Sequence, residues 1–104
     1  MEFTTDEKKA INCLLVNLMK IDGKTDVSEA VTLYEINRIT KLSINESTVS
    51  LKMGFDECKE ILLSMESYKR RIAKNYFEHM AETDGLVKDV ESDYIYKIFG
   101  KKNA

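Results

Sequence analysis

The chain writes the same bend twice. Asp22-Gly23, five residues and Glu29 are matched by Asp84-Gly85, five residues and Glu91, at an offset of 62 residues. Each copy follows a helical stripe and precedes another. The match extends outward to Leu18 with Met80, Leu33 with Ile95, Tyr34 with Tyr96 and Ile36 with Ile98. One Asp-Gly is commonplace. Two in the same helix–loop–helix setting, each with a glutamate beyond it, constrain the fold to a pair of helical hairpins about a pseudo-twofold axis. Neither hairpin can bury its apolar faces alone.

The rest of the sequence suits helices. It contains no proline, so nothing interrupts a helical pattern and no Pro-rich linker divides it. Gly23, Gly54, Gly85 and Gly100 each stand where a helical pattern stops, the usual place for a left-handed cap. Thr4 and Glu7 have capping-box spacing, and Ile11, Leu14, Leu15 and Leu18 form a stripe ending near Ile21. A second helix, capped by Asp26, is expected to reach Lys41 and to bury Ala30, Leu33, Tyr34 and Ile36. The Ser, Thr and Asn residues between Leu42 and Met53 compete for backbone hydrogen bonds, so a loop or a short helix is expected there. A helix through Ile61 and Leu62 follows. Another runs from Ser67 to Glu82, with Tyr68, Ile72, Tyr76 and Met80 on one stripe. The last carries Val90, Tyr94, Ile95 and Ile98. No segment alternates with period two. The expected fold is all-α: a compact bundle of about five or six helices, with repeat halves about 5–41 and 67–100.

Length and composition set the class. One domain over residues 1–104 is the default at this size, with 43% apolar and 33% charged residues. A formal charge of -2 argues against a nucleic-acid coat or a polybasic membrane anchor. There is no apolar run long enough for a transmembrane helix, and the opening MEFTTDEKK has acids where a signal peptide needs bases. A cytoplasmic location is therefore expected. Cys13 and Cys58 have no CxxC spacing and read as small core residues. His79 stands alone, with no nucleophile or second histidine at a catalytic or zinc spacing, so it reads as a polar residue of the surface or a helix end.

The apolar residues before Asp-Gly, an apolar residue two further on, Glu, and a helix ending Tyr-Ile-x-x-Ile-Phe together resemble the TerB-like domains of the tellurite-resistance B family. That family is related to the N-terminal domain of a membrane-bound DnaJ-type co-chaperone. The resemblance covers about residues 8 to 99. Met80, Asp84, Gly85, Val87, Glu91, Ile95 and Ile98 carry it in the second copy. In the first copy Thr25 stands where Val87 stands, which loosens that bend or hands its apolar role to Val27. The resemblance implies a bacterial, all-helical fold of two related halves with acids gathered on one surface. It also implies links to stress response and membrane-associated assemblies, metal binding by the acids, and no catalytic activity.

From the residues, Asp22, Glu29, Asp84 and Glu91, joined by Asp26 and Asp89, are candidates for a divalent-cation site. Ca²⁺, Mg²⁺ or Mn²⁺ would suit such oxygen ligands, and a cation would relieve their mutual repulsion. The plainer alternative is that Asp-Gly turns the chain while Glu29 and Glu91 favour the positive starts of helices. An EF-hand is excluded: in that frame Leu18 and Lys20, or Met80 and Glu82, would fall at the first two ligand positions. The segment from Val31 to Ser50 imitates a DNA-reading helix-turn-helix, but its turn has no glycine and its second helix offers one cation, Lys52. Lys69, Arg70, Arg71 and Lys74 form a better basic patch, expected to be a solvated helix face. The expected function is a non-enzymatic module binding a cation, a protein partner, or both. The alternative is a plain interaction adaptor. No nucleic acid is expected, and a spare apolar stripe would allow a homodimer.

Overall fold

A computed structural model describes residues 3–21, 27–83 and 89–100. Among these residues there are six helices and no strands: α1 (Thr5–Lys20), α2 (Val27–Thr40), α3 (Ile44–Ser50), α4 (Phe55–Leu63), α5 (Ser67–Ala81) and α6 (Asp89–Phe99). The repeat read from the bends is also a repeat of helix starts. Thr5 and Ser67 open α1 and α5, and Val27 and Asp89 open α2 and α6, at the same spacing as the bends. All four buried residues of α5, Ala73, Phe77, Met80 and Ala81, have buried counterparts in α1: Ile11, Leu15, Leu18 and Met19. In the second helix of each hairpin, Glu29 and Ile36 match Glu91 and Ile98, all buried.

One contact joins equivalent positions of the two halves. Lys69 Nζ lies 2.9 Å from Glu7 Oε1, and the two residues are 62 apart. The pair ties the first turn of α5 to the first turn of α1. Helix α1 is the centre of the packing: α2, α3, α4 and α5 all rest on it. The buried apolar residues of α1, α2, α4, α5 and α6 form one cluster, with Met65 from the α4–α5 turn.

Local signals explain the boundaries. Thr4 and Glu7 close the expected capping box. Ser43 and Glu46 close a second, which starts α3 in a stretch whose polar composition disfavours helix interiors. The short-helix alternative for 42–53 is the correct one, because Ser43 is well placed as a cap.

Three expectations need correction. Helix α2 does not bury Ala30 or Tyr34; both are exposed, and Glu29 and Thr32 take the inner side with Ile36 while Leu33 is half-buried. Apolar residues lie all round this helix, so periodicity leaves its face undecided. Contacts with α1 and α5 decide it. Tyr68 and Val90 are likewise exposed, at the first turns of α5 and α6. Gly54 is no left-handed cap: at φ −83° and ψ 159° it is the N-cap of α4. Gly100, at φ +81°, is the left-handed cap expected, and Lys41 holds the same conformation at φ +63° after α2. Gly23 and Gly85 lie outside the described residues.

Candidate functional site

The acid-bearing bends separate α1 from α2 and α5 from α6. Asp22, Asp26 and Asp84 lie outside the described residues, so the site is built from the residues that bracket them. Glu29 and Glu91 are each the third residue of their helix, and they are only 5% and 2% exposed. Carboxylates are seldom buried this far unless the fold engages them. Both take part in interactions within the molecule. Their place in a first turn also sets each carboxylate against the positive end of a helix. Asp89, which opens α6, is exposed and occupies the position of Val27, not of Asp26. Among the described residues no three His, Cys, Asp or Glu side chains converge as a metal would require.

A threonine pair joins the two hairpins here. Thr32 Oγ1, in the second turn of α2, lies 2.8 Å from Thr83 Oγ1, just past α5. Each hydroxyl also lies near a carbonyl of its own helical segment, Thr32 by Ser28 at 2.9 Å and Thr83 by His79 at 3.2 Å; with one proton each, one threonine donates to its carbonyl and the other to its partner's hydroxyl. The start of α2 and the exit of α5 therefore meet at one end of the molecule. His79 itself is exposed in the last turn of α5.

The basic patch is largely committed to the fold. Lys69 pairs with Glu7 and so ties α5 to α1. Burial pushes the Glu7 carboxyl up, but the Lys69 ammonium and the Thr4 backbone amide outweigh it and hold the group below the usual carboxylate value. Arg70 donates to the carbonyls of Leu63 and Met65 at 3.1 and 3.2 Å, closing the end of α4. Only Arg71 of the four is fully exposed. The expected solvated face is thus a set of ties between elements.

The thiols behave as core residues. Cys13 and Cys58 are free and buried. The Cys13 thiol lies 3.5 Å from the Met53 carbonyl, and burial beside Cys13 pushes the Cys58 thiol up to about 12. Both stay protonated, which disfavours metal ligation and nucleophilic chemistry. Burial likewise pushes the Tyr94 phenol up to about 12, with Asn17 pulling the other way, and its ring packs edge-on against Phe55.

Sequence reasoning missed one polar hub. Asn12, buried in α1, donates to Ser50 Oγ at 2.7 Å and accepts from Asn37 Nδ2 at 3.1 Å, so one side chain ties α1 to α2 and α3. An asparagine in the middle of an apolar helix stripe was the available signal. No helix among the described residues is long and apolar enough to cross a membrane. No protein-family model, curated protein or solved structure matches the chain.

Proposed function

We propose that the chain is a non-enzymatic, TerB-like helical module whose acid-bearing end takes a hard divalent cation, a basic protein partner, or both. The matched burial of Glu29 and Glu91 carries this reading. A glutamate that only favours a helix start does so from the surface. Two glutamates drawn inside at equivalent positions of equivalent helices serve a shared purpose at that end. The Thr32–Thr83 contact, which joins the second turn of α2 to the exit of α5, supports this reading, in which Asp22 and Asp84 would join the glutamates as ligands. Ca²⁺, Mg²⁺ and Mn²⁺ take oxygen ligands of this kind, completed by carbonyls and water. A stress-response role in a bacterial cytoplasm belongs to the same reading and rests on the family resemblance.

Isothermal titration with Ca²⁺, Mg²⁺, Mn²⁺ and Zn²⁺ tests it. Saturable binding below millimolar, lost in Asp84→Asn and in Glu91→Gln with the helical circular dichroism unchanged, is the expected result. If no metal binds below millimolar, or if Asp84→Asn leaves binding untouched, the cation half of the reading falls and the adaptor alternative remains. A specific observation favours that alternative independently: the outward side of α2 is apolar. DNA binding has less support. Helix α3 itself carries no Lys or Arg, and Lys8 beside it is paired with Glu46 at 3.7 Å. Failure to be retained on duplex DNA at low salt would eliminate it.

A further inference from the structure

The surface of α2 is anomalous for its place in the fold. Val27, Val31 and Tyr34 recur one turn apart along the side turned away from the core, and they are 78%, 49% and 66% exposed. Tyr34 shares a surface groove with Leu42 and with Ile44, which is 88% exposed at the start of α3. The repeat supplies an internal control. The positions of α6 equivalent to Val27 and Val31 are Asp89 and Asp93, both exposed. The hairpin frame therefore accepts water-soluble residues at these positions, and α2 holds valines for some other reason. Scattered surface apolar residues are ordinary, whereas a contiguous patch rimmed by polar residues marks an interface.

We infer that this face is the interface of a homodimer in which two α2 helices pack antiparallel about a twofold axis. The charges select the occupant. Glu35 and Arg38 are exposed beside the stripe, one turn apart, and among the described residues no ion pair involves either. One acid and one base give the patch no net charge with which to steer a charged partner. They are also what an isologous contact needs, because such a contact sets a surface against itself. In the antiparallel register Glu35 of each copy faces Arg38 of the other, twice, with the Tyr34 rings near the axis. The start of one α2, with Val27 and Val31, then covers the Leu42 and Ile44 corner of the other. The apolar part of the face is the exposed Val27, Val31, Tyr34 and Ile44 side chains, set against the roughly 800 Å² a side of a standard interface. Among the described residues the main contacts of α2 are with α1 and α5.

Val27 and Val31 flank Glu29, so this surface adjoins the acid-bearing end; its test reads the oligomeric state, so its failure is distinguishable from failure of the metal titration. Sedimentation equilibrium of the full chain from micromolar to millimolar is expected to show a monomer–dimer equilibrium. Tyr34→Asp should weaken it by about a hundredfold, whereas Tyr96→Asp, at the equivalent position of α6, should leave it unchanged. Glu35→Arg should weaken dimerisation about tenfold by setting like charges face to face, and the double variant Glu35→Arg with Arg38→Glu should restore it. Circular dichroism checks that each variant is folded. A wild-type chain that stays monomeric to millimolar overturns the proposal. So does a dimer indifferent to Tyr34→Asp, or a double variant that fails to recover.

Discussion

On α2 the water-facing positions hold Val27, Val31 and Tyr34; on α6 the equivalent positions hold Asp89, Asp93 and Tyr96. Inside the molecule the two hairpins share part of one inward set. Leu15 and Phe77, Leu18 and Met80, Glu29 and Glu91, and Ile36 and Ile98 are buried pair by pair. Burial is shared where α1 and α5 pack on each other and on their own second helices, α2 and α6. The outward positions are under no such constraint. Differences there show what each half does beyond folding, and they set the apolar side of α2 apart from its acidic counterpart. A second difference is internal. Asn12 is the polar hub that docks α3, while its equivalent in α5, Lys74, is only half-buried.

The severest way to break the comparison is to hollow out one hairpin at a time. Leu15 and Phe77 are equivalent, and neither has exposed surface. Leu15→Ala should cost about 2–5 kcal/mol and Phe77→Ala about 3–5 kcal/mol, the larger ring leaving the larger cavity against Phe99. If the halves share one core, urea unfolding of each variant shows a single transition moved to lower midpoint, at whichever end the cavity lies. Two separated transitions would mean that the hairpins fold as independent units, and the matched burial would lose its explanation.

The frame was legible in the sequence because doubled bends with matching stripes leave a helical arrangement few choices. The capping boxes and the free cysteines were readable from local chemistry alone. The facing of α2 was not. With apolar residues on every side, its orientation is fixed by α1 and α5, which no window along the chain can see. The basic patch misled for a related reason: Lys69 and Arg70 look solvated in a helical projection, yet their partners are Glu7 and the α4 carbonyls, brought near only by the fold. Of the candidate site, Glu29 and Glu91 were named from spacing. Their burial could not be, since a first-turn glutamate is ordinarily a surface residue.

A smaller effect sharpens the internal difference. Asn12→Ala removes the partner of both Ser50 and Asn37 at once, leaving buried polar groups unsatisfied. A loss of about 2–3 kcal/mol in urea denaturation is expected. Because α3 depends on this hub and α6 has no equivalent, amide hydrogen exchange should accelerate in α3 well before it does in α5 and α6. Uniform acceleration across all six helices would show that Asn12 supports the whole bundle instead of the α3 dock.

The finest contrast lies where each hairpin's second helix ends. After α2, the Leu42 amide reaches the Asn37 carbonyl at 2.9 Å and the Lys41 amide reaches that of Arg38 at 3.2 Å. This is the Schellman pattern, with Lys41 at the left-handed position that glycine fills most easily. After α6, the Gly100 amide reaches the Tyr96 carbonyl at 2.7 Å, the single-bond form of the same ending. One hairpin thus spends a side chain where the other uses a glycine. Lys41→Gly relieves the clash of a β-carbon in this conformation but gives the unfolded chain more freedom, so a net gain of no more than about 1 kcal/mol is expected. The Lys41 carbonyl, which accepts from Lys8 Nζ at 3.0 Å, is backbone and survives the change. Gly100→Ala should lose about 1 kcal/mol by the reverse reasoning, although no atom lies within 4 Å of the added carbon. Gly54→Ser, at an extended N-cap, should change stability by only about a few tenths of a kcal/mol. Thermal midpoints of the three variants check the order. If Lys41→Gly destabilises the protein, the strain assigned to that ending is absent, and the lysine is kept there for the contacts of its own chain.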